Sequence, residues 1–227
     1  MTAPGRAAAR DARRADILAA AIRVLAREGV AETTTRMIAA EAQVNQATLR
    51  YYFGSKDDLL LAVLQVMMRR TQEVVTAAAS LTSELAAPGG LRAAIAESVS
   101  AFWAHVEAEP ELQQMQQELT HYALRRPESA WLTREQYGGY TAVVEAIFRE
   151  AFALAGQTSP TPYDALARFV IAGIDGLILQ YLSDHDTARA RRDLACLIAA
   201  VIALAGSPSP SPAAAGEGSD ARPTVAR

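Results

Sequence analysis

The stretch TTTRMIAAEAQVNQATLRYYFGSKDDLL, residues 33–60, carries the pattern that decides the fold. Thr34 or Thr35 can cap a helix over residues 36–42, because a threonine hydroxyl accepts a hydrogen bond from an otherwise unpaired backbone N–H. Apolar residues inside this segment recur at the spacing of one helical face. The first part of the stretch therefore predicts a short amphipathic helix.

A turn and a second helix follow directly. Gln43 and Val44 form the predicted turn, with Val44 in the core between the helices, and Asn45 caps a helix over residues 46–52. The segment 55–58 has the pattern of a capping box that opens a third helix. Two helices joined by a turn of three to four residues form a helix-turn-helix, whose second helix enters the DNA major groove.

The polar side chains of this unit have the chemistry of DNA contacts. Glutamine pairs with adenine and arginine with guanine, whereas threonine and tyrosine hydroxyls reach phosphates. We expect Gln46, Ala47 and Arg50 to face base edges. Phosphates are expected at Thr35, Thr48, Tyr51 and Lys56, and the expected contact set is completed by Arg36, Asn45 and Tyr52. An ordinary three-helix unit with a solvated polar face is the alternative.

Lys56 is the only lysine in the chain, since the other 21 of its 22 basic residues are arginines. It falls in the first turn of the third predicted helix, where the helix dipole disfavours a cation. A phosphate bound at that helix end would offset this cost.

The segment from Thr34 to Leu60 resembles the DNA-binding signature of the tetracycline-repressor (TetR) family of bacterial transcription regulators. The matching positions are Thr34-Thr35-Arg36, Ile38-Ala39, Val44, Thr48-Leu49, Tyr52-Phe53 and Ser55-Lys56. Residues 17–29 match more loosely as the first helix of that family. The resemblance implies a helix-turn-helix head, a helical body that holds an effector pocket, and dimerisation through the last two helices.

The chain departs from the family pattern at three positions. Gln43 replaces the usual turn glycine, Ala47 stands where glycine or proline is common, and Arg50 stands where tyrosine is common. A left-handed backbone at Gln43 would carry strain, because residues other than glycine rarely adopt a positive φ. Arg50 prevents the base preference from being carried over from the family.

The overall charge is −3, but it is distributed unevenly. Residues 1–70 hold 11 Arg and Lys against 7 Asp and Glu, whereas residues 71–227 hold 11 against 18. A basic end on an acidic body is expected when only one end of a protein meets phosphates.

The composition predicts an all-α protein, since alanine, leucine and arginine, which favour helix, are abundant and no run of alternating β-branched residues indicates a strand. We divide it into a disordered basic arm (1–9), a three-helix helix-turn-helix DNA-binding domain (10–55), a helical effector-binding and dimerisation domain (56–205) and a disordered tail (206–227). In the head, Gly29 is placed to end the first helix.

Three helix starts are predicted in the body. Thr133 to Gln136 has a capping-box pattern, and Thr161-Pro162-Tyr163-Asp164 combines a cap, a proline at the first helical position and an acid two residues later. Asp186 is placed to cap the last helix.

Aromatic and interior polar residues in the body indicate a small-molecule pocket, which is mostly apolar with a few placed polar groups. The candidates are Trp103, Met115, Glu118, His121, Tyr122, Tyr137, Tyr140 and Phe148. Such walls favour a small apolar or amphiphilic effector, neutral or cationic. The alternative is that these residues are plain core.

The last two predicted helices carry apolar stripes that are too wide for helices packed only within one small body. We expect a homodimer through a four-helix interface. The candidate interface residues are Phe169, Ile174, Leu177, Ile178, Tyr181, Leu197 and Val201. A membrane hairpin is rejected because Arg168 and Asp175 interrupt the first of the two segments and the second is too short.

Nothing in the sequence indicates an enzyme, a metal or a cofactor. His105, His121 and His185 are scattered, and none pairs with a second ligand at metal spacing. The single cysteine, Cys196, excludes an internal disulfide, fits a reducing cytoplasm and is expected in the core. The sequence therefore predicts a cytoplasmic regulator, more specifically a repressor, that binds double-stranded operator DNA as a dimer. A helical ligand-binding or scaffold protein without DNA-binding activity is the alternative.

Overall fold

A computed structural model describes residues 5–83 and 90–206, and within these ranges the chain forms nine α-helices and no strand. In chain order they are α1 (Arg6–Glu32), α2 (Thr35–Glu41), α3 (Gln46–Phe53), α4 (Lys56–Ser83), α5 (Leu91–Ala108), α6 (Pro110–Leu124), α7 (Ala130–Leu154), α8 (Tyr163–Asp184) and α9 (Thr187–Gly206). The all-α prediction is confirmed.

The helix starts in the head follow the predicted caps. Thr34 Oγ1 accepts a hydrogen bond from the Met37 N–H at 3.3 Å, and Asn45 Oδ1 accepts one from the Thr48 N–H at 2.7 Å. Ser55 and Asp58 form the capping box, in which Ser55 Oγ accepts from the Asp58 N–H at 3.0 Å and Asp58 Oδ2 accepts from the Ser55 N–H at 3.2 Å. These contacts confirm the predicted caps at Thr34, Asn45 and Ser55.

The turn between α2 and α3 has the strained geometry that its sequence implies. Gln43 has a φ of 53°, in the left-handed region. Because a side chain disfavours that region, a glycine at this position would relieve strain.

The first helix is longer than expected at its beginning and breaks at its end. Residues 6–9 are helical, so the predicted disordered arm over residues 1–9 is wrong for that part, and residues 1–4 lie outside the described residues. Gly29 has φ 78° and ψ 166°, which interrupts the helix as predicted. Thr33 Oγ1 donates to the Gly29 carbonyl at 2.6 Å and closes the bend.

One predicted helix start in the body, at Thr133 to Gln136, is wrong, whereas the start predicted at residues 161–164 is found there without its Thr161 cap. Helix α7 begins at Ala130, and the Thr133 hydroxyl donates back to the Ala130 carbonyl at 2.9 Å from inside the helix. Helix α8 begins at Tyr163, and the Thr161 hydroxyl donates to the Leu204 carbonyl at 2.7 Å instead of capping it. The Asp186 cap is confirmed, since Asp186 Oδ1 accepts from the Arg189 N–H at 2.9 Å.

Two hydrophobic cores organise the helices. The first contains Ile17, Leu25, Ile38, Leu49 and Leu59 in the head and continues into Met115 and Leu119 of α6, so that α1 packs directly on the body. The second joins α5, α7, α8 and α9, with Trp103 and Leu166 among its most buried members. The shared first core gives the head and body a continuous mechanical connection.

Helices α8 and α9 approach closely inside one chain. A Cβ atom added at Gly173 would lie 2.5 Å from Leu197 Cδ1, so glycine allows this spacing. Within the described ranges, α8 is the one helix that is long and apolar enough to pass a simple membrane-span test, but it contains Arg168 and Asp175 and packs on α7 and α9. Of the predicted tail, residues 207–227 lie outside the described residues.

Candidate nucleic-acid interface and ligand cavity

Helix α3 presents its polar face outward from the head. Its apolar residues Leu49 and Phe53 are buried, whereas Gln46, Ala47 and Arg50 are exposed. The helix is therefore fixed through one side only. The three residues expected at base edges lie together on the other side, within the first two turns.

Two aromatic residues of α3 connect this face to the beginning of α1. Tyr51 is 71% exposed and packs edge-on against Tyr52, with ring centroids 5.3 Å apart. Arg10 lies over the Tyr51 ring at 6.0 Å, and Arg14 lies over the Phe53 ring at 5.1 Å. The arginines of α1 thus extend the positive charge beside α3.

The other predicted DNA contacts border α3. Arg36 and Asn45 are exposed, and Thr35, Thr48 and Tyr52 are partly buried. The Thr48 hydroxyl donates to Asn45 Oδ1 at 3.0 Å. Both lone-pair directions of the hydroxyl oxygen remain available as acceptors, but its proton is committed to the cap.

Lys56 has a structural contact that the sequence did not reveal. Its Nζ donates to the Val30 carbonyl at 3.4 Å, just after the break in α1. Carbonyl groups at a helix end carry partial negative charge. This carbonyl therefore offsets part of the dipole cost at the start of α4, with or without a phosphate.

A cavity of about 250 Å³ lies between α4, α5, α6, α7 and α8. Its walls are mostly aliphatic and aromatic, with side chains such as Val75, Val99, Phe102 and Ile147. This volume lies just below the usual range for ligand pockets, about 300–1,000 Å³.

A chain of hydrogen bonds fixes the polar wall of this cavity. Gln116 Nε2 donates to the Tyr140 hydroxyl oxygen at 3.0 Å, and the Thr71 hydroxyl donates to Gln116 Oε1 at 3.2 Å. Burial raises the pKa of Tyr140, so that its hydroxyl stays protonated. The three residues come from α4, α6 and α7, so the wall connects three helices.

Only some of the predicted effector residues line the cavity. Tyr140 and Phe148 do, and their role in effector binding stays a prediction. Trp103 and Met115 are instead core residues, 2% and 1% exposed, because their large apolar side chains pack between helices. His121 lies on the exposed surface of α6, where its Nδ1 is 2.8 Å from the Gln117 carbonyl oxygen. The predictions for these three residues are wrong.

Two further candidates, Glu118 and Tyr122, connect α6 to α1 and to the first turn of α4. Glu118 Oε2 accepts a hydrogen bond from the Val30 N–H at 2.7 Å. The Tyr122 hydroxyl donates to the Asp57 carboxylate, and burial raises the pKa of Tyr122 to about 12. Glu118 is therefore engaged with α1 of the head and Tyr122 with α4, and neither lines the cavity.

Asp175 of α8 is an acid that does line the cavity, whereas in the sequence it is notable only as a charge that interrupts an apolar segment. Burial raises the pKa of Asp175, and a hydrogen bond from the Tyr137 hydroxyl partly offsets this effect. The same pairing and burial raise the pKa of Tyr137. Tyr137 does not line the cavity, but its hydroxyl is hydrogen-bonded to Asp175, which does. The sequence does contain a signal for Asp175 as a cavity residue, because it lies on the same helical face as the apolar residues Ile171 and Ile178.

The predicted dimer interface falls into two groups. Ile174, Ile178, Tyr181 and Val201 are buried within one chain, so their assignment to the interface is wrong. They face the cavity or the second core because α8 is surrounded by α7 and α9. Phe169 is 40% exposed, and Leu177 and Leu197 are partly buried.

An apolar outer face nevertheless remains on α8 and α9. We call it the α8–α9 face, and its members are Phe169, Ala172, Gly176, Leu179, Ala195, Cys196, Ala199 and Ala203. Cys196 is exposed there, so its predicted core position is wrong. Within the described residues, no group of three or more His, Cys, Asp or Glu side chains is arranged to hold a metal ion.

Two family descriptions match the chain. "Bacterial regulatory proteins, tetR family" covers residues 17–63, and "Tetracyclin repressor-like, C-terminal domain" covers residues 90–204. The first range holds the α3 face and the second holds most of the cavity.

Individual relatives agree with these matches. The chain is 30% identical to the nicotine-responsive transcriptional repressor HdnoR of Paenarthrobacter nicotinovorans over 78% of this chain and 87% of the relative. It is 27% identical to the transcriptional regulator BetI of Burkholderia pseudomallei over 74% of this chain and 95% of the relative.

Solved structures share the architecture. The multidrug binding protein EbrR, complexed with imidazole, is 28% identical, with a TM-score of 0.61 over 87% of this chain and 92% of that chain. A TetR-family regulator from Mesorhizobium loti reaches a TM-score of 0.69 over 87% of this chain and 98% of that chain, at 17% identity, which shows the fold alone.

Proposed function

This chain belongs to the tetR family of bacterial regulatory proteins and is a ligand-responsive DNA-binding regulator; we propose that it is a repressor. A small molecule releases it from a palindromic operator. It acts in the cytoplasm as a homodimer, without enzymatic activity or a cofactor. Operator DNA occupies the α3 face, and an apolar or amphiphilic effector occupies the cavity between α4 and α8.

The α3 face carries the DNA-binding part of the proposal. Gln46, Ala47 and Arg50 are exposed on a helix whose opposite side is anchored by Leu49 and Phe53. An anchored helix can hold base-reading side chains at fixed positions, and Arg10 and Arg14 add positive charge next to it. The effector part is supported by the cavity and by the relative that is named as nicotine-responsive.

A dimer supplies the second recognition helix. The α8–α9 face is apolar and exposed in one chain, and pairing two copies of it gives a four-helix interface with two-fold symmetry. Two α3 helices then read half-sites about 34–36 Å apart, and the operator is palindromic because the dimer is symmetric.

Helix α6 connects the two sites. Gln113, Gln116 and Gln117 face the cavity from α6, whereas Glu118 and Tyr122 on the same helix hold α1 and α4. A ligand that moves α6 therefore acts on its contact with α1 of the head and on its contact with α4, the helix that follows the head. Release follows if the ligand favours a dimer whose recognition helices no longer match successive major grooves.

The test begins by sequencing the genomic fragments that the purified protein retains. The enriched sequence is then titrated by fluorescence anisotropy across a salt series, with a scrambled duplex for comparison. We expect a palindromic site and an affinity that falls linearly on a log–log salt plot.

Two exposed arginines, Arg50 of α3 and Arg92 of α5, provide a test variant and its control. Arg50→Ala should lose about 1–3 kcal/mol of discrimination at one base position. Arg92→Ala removes an exposed arginine from α5 and should change nothing. If the protein enriches no preferred sequence and its binding to DNA does not depend on salt, the result would instead support a helical ligand-binding protein without DNA-binding activity.

A further inference from the structure

Asp175 places a carboxylate inside an otherwise apolar helix surface. It lies on α8 between Ile171 and Ile178, one turn from each, and all three residues line the cavity. Moving a carboxylate from water into apolar surroundings is costly unless a partner compensates it. A positively charged partner would therefore stabilise the carboxylate at this position.

The cavity wall supplies no such partner. Its acidic residues are Asp175 and Glu150, and no lysine, arginine or histidine is among its described lining residues. Carboxylates without nearby basic side chains favour a bound cation and oppose a bound anion. An acidic ligand would meet only this negative charge.

The neighbours of Asp175 provide one hydrogen bond and no positive charge. The Tyr137 hydroxyl bonds to Asp175, and burial still raises the pKa of that carboxyl. Tyr137 and Tyr140 pack edge to face with centroids 6.2 Å apart, and Tyr140 lines the cavity. Aromatic rings stabilise cations over their faces. A charged nitrogen next to Asp175 would thus find a carboxylate and an aromatic ring together.

We propose that the cavity binds a small organic cation, an amine or quaternary ammonium group on a compact apolar body, and that Asp175 is its counter-ion. The apolar body packs among Phe102, Ile147 and Phe148, and the cationic nitrogen lies at Asp175. This inference rests on the proposed function for the role of the cavity, and it adds the charge class of the ligand. A volume of about 250 Å³ limits that ligand to a small molecule.

The experiment uses three probes of similar shape and different charge. They are 4-phenylpiperidine, which is cationic at pH 7, the neutral 4-phenyltetrahydropyran, and the anion 4-phenylbutanoate. Binding of each to the full-length protein is measured by isothermal titration calorimetry at pH 7 and by thermal shift, and benzyltrimethylammonium is added as a permanent cation. We expect both cations to bind at least tenfold more tightly than the neutral and anionic probes.

Two substitutions on α8 locate the charge. Asp175→Asn keeps the side-chain shape and should weaken binding of 4-phenylpiperidine by about 30-fold or more, since a buried charge pair loses one partner. Its affinity for the neutral probe should stay the same or rise. Asp164→Asn removes an exposed acid from the same helix and should leave both affinities unchanged.

Tyr137→Phe keeps the Asp175 carboxylate but removes its hydrogen bond, so it should retain cation binding. The inference is overturned if the cations bind no better than the neutral probe, if the anion binds best, if no probe binds, or if Asp175→Asn binds cations like the wild type. Operator binding without any probe is measured separately. Its loss would overturn the proposed function, whereas its presence together with a failed charge preference would overturn this inference alone.

Discussion

The Glu118 carboxylate of α6 accepts a hydrogen bond from the backbone N–H of Val30 at 2.7 Å, at the point where α1 breaks. Gln114 Nε2 donates to the other carboxylate oxygen at 3.2 Å. The two elements are in contact there, since a Cβ atom added at Gly29 would lie 3.4 Å from Glu118 Oε2. A side chain of the body therefore holds the backbone of the head directly.

We expect Glu118→Gln to weaken this connection without breaking it. The amide oxygen can still accept from Val30, but a neutral hydrogen bond has about half the strength of a charge-assisted one. A loss of about 1 kcal/mol would lower the melting temperature by about 2–4 °C. The variant should also show a smaller effect of ligand on operator affinity.

The control for this prediction is Glu111→Gln, which neutralises an exposed acid on the same helix. Both variants are measured by thermal melting and by operator anisotropy with and without a bound cation. Equal ligand effects in Glu118→Gln, Glu111→Gln and the wild type would show that the contact stabilises the fold but does not transmit the signal.

Lys56→Ala separates two roles of one side chain. If Lys56 binds phosphate, the variant should weaken DNA binding similarly for all sequences and reduce the salt slope by about one unit. If it only closes the end of α1 through the Val30 carbonyl, stability should fall while the salt slope stays constant. Arg69→Ala, which removes an exposed cation from the same helix, is the charge-matched control. An unchanged salt slope in Lys56→Ala would contradict the phosphate role.

The head could be predicted from the sequence because its signals are local. Thr34, Asn45 and Ser55 each cap a helix within three residues, so spacing along the chain determines the contact. Resemblance to the TetR family then identified the head, and the family matches confirmed it.

The cavity was less accessible to sequence reasoning because its walls come from five helices. Periodicity shows that a helix face is apolar, but not whether it meets core, cavity or another chain. Trp103 and Asp175 show the consequence. The sequence predicts the tryptophan in the pocket, but it is core, whereas the aspartate interrupts an apolar segment in the sequence and lines the cavity in the structure. Glu118, which the sequence predicts in the pocket, instead accepts a hydrogen bond from the Val30 N–H, 88 residues away in sequence.

The dimer prediction is best tested at Leu179, which is 49% exposed on the α8–α9 face. Leu179→Arg should give a folded monomer, because it places unpaired charge in the centre of the interface without entering the core of one chain. Sedimentation velocity at micromolar concentration measures the assembly, and circular dichroism checks the fold. The wild type should sediment as a dimer.

Leu124→Arg is the matched control, since Leu124 is 54% exposed at the end of α6 and lies outside the α8–α9 face. It should remain a dimer. Ile174→Arg would not serve, because Ile174 is only 7% exposed and the charge would disrupt the core itself. A wild-type protein that sediments as a monomer would contradict the proposed homodimer.

The last prediction concerns the pH dependence that Asp175 imposes on folding. Its pKa is raised in the folded state, so between the ordinary aspartate pKa and that raised value the folded chain binds more protons than the unfolded chain. Stability contributed at this site is therefore present at acid pH and is lost as the pH rises through that window. Tyr137 and Tyr140, which are near Asp175, stay protonated there because their own pKa values are raised, and Glu150 is the other cavity acid.

Without ligand, Asp175→Asn should thus melt at a higher temperature than the wild type at pH 8. The difference should shrink as the pH approaches about 4. Asp164→Asn, which removes an exposed acid from the same helix, is the comparison variant. Melting curves of the three proteins from pH 4 to pH 8 check this, and a destabilised Asp175→Asn at pH 8 would mean that the carboxylate already has a compensating partner within the folded chain.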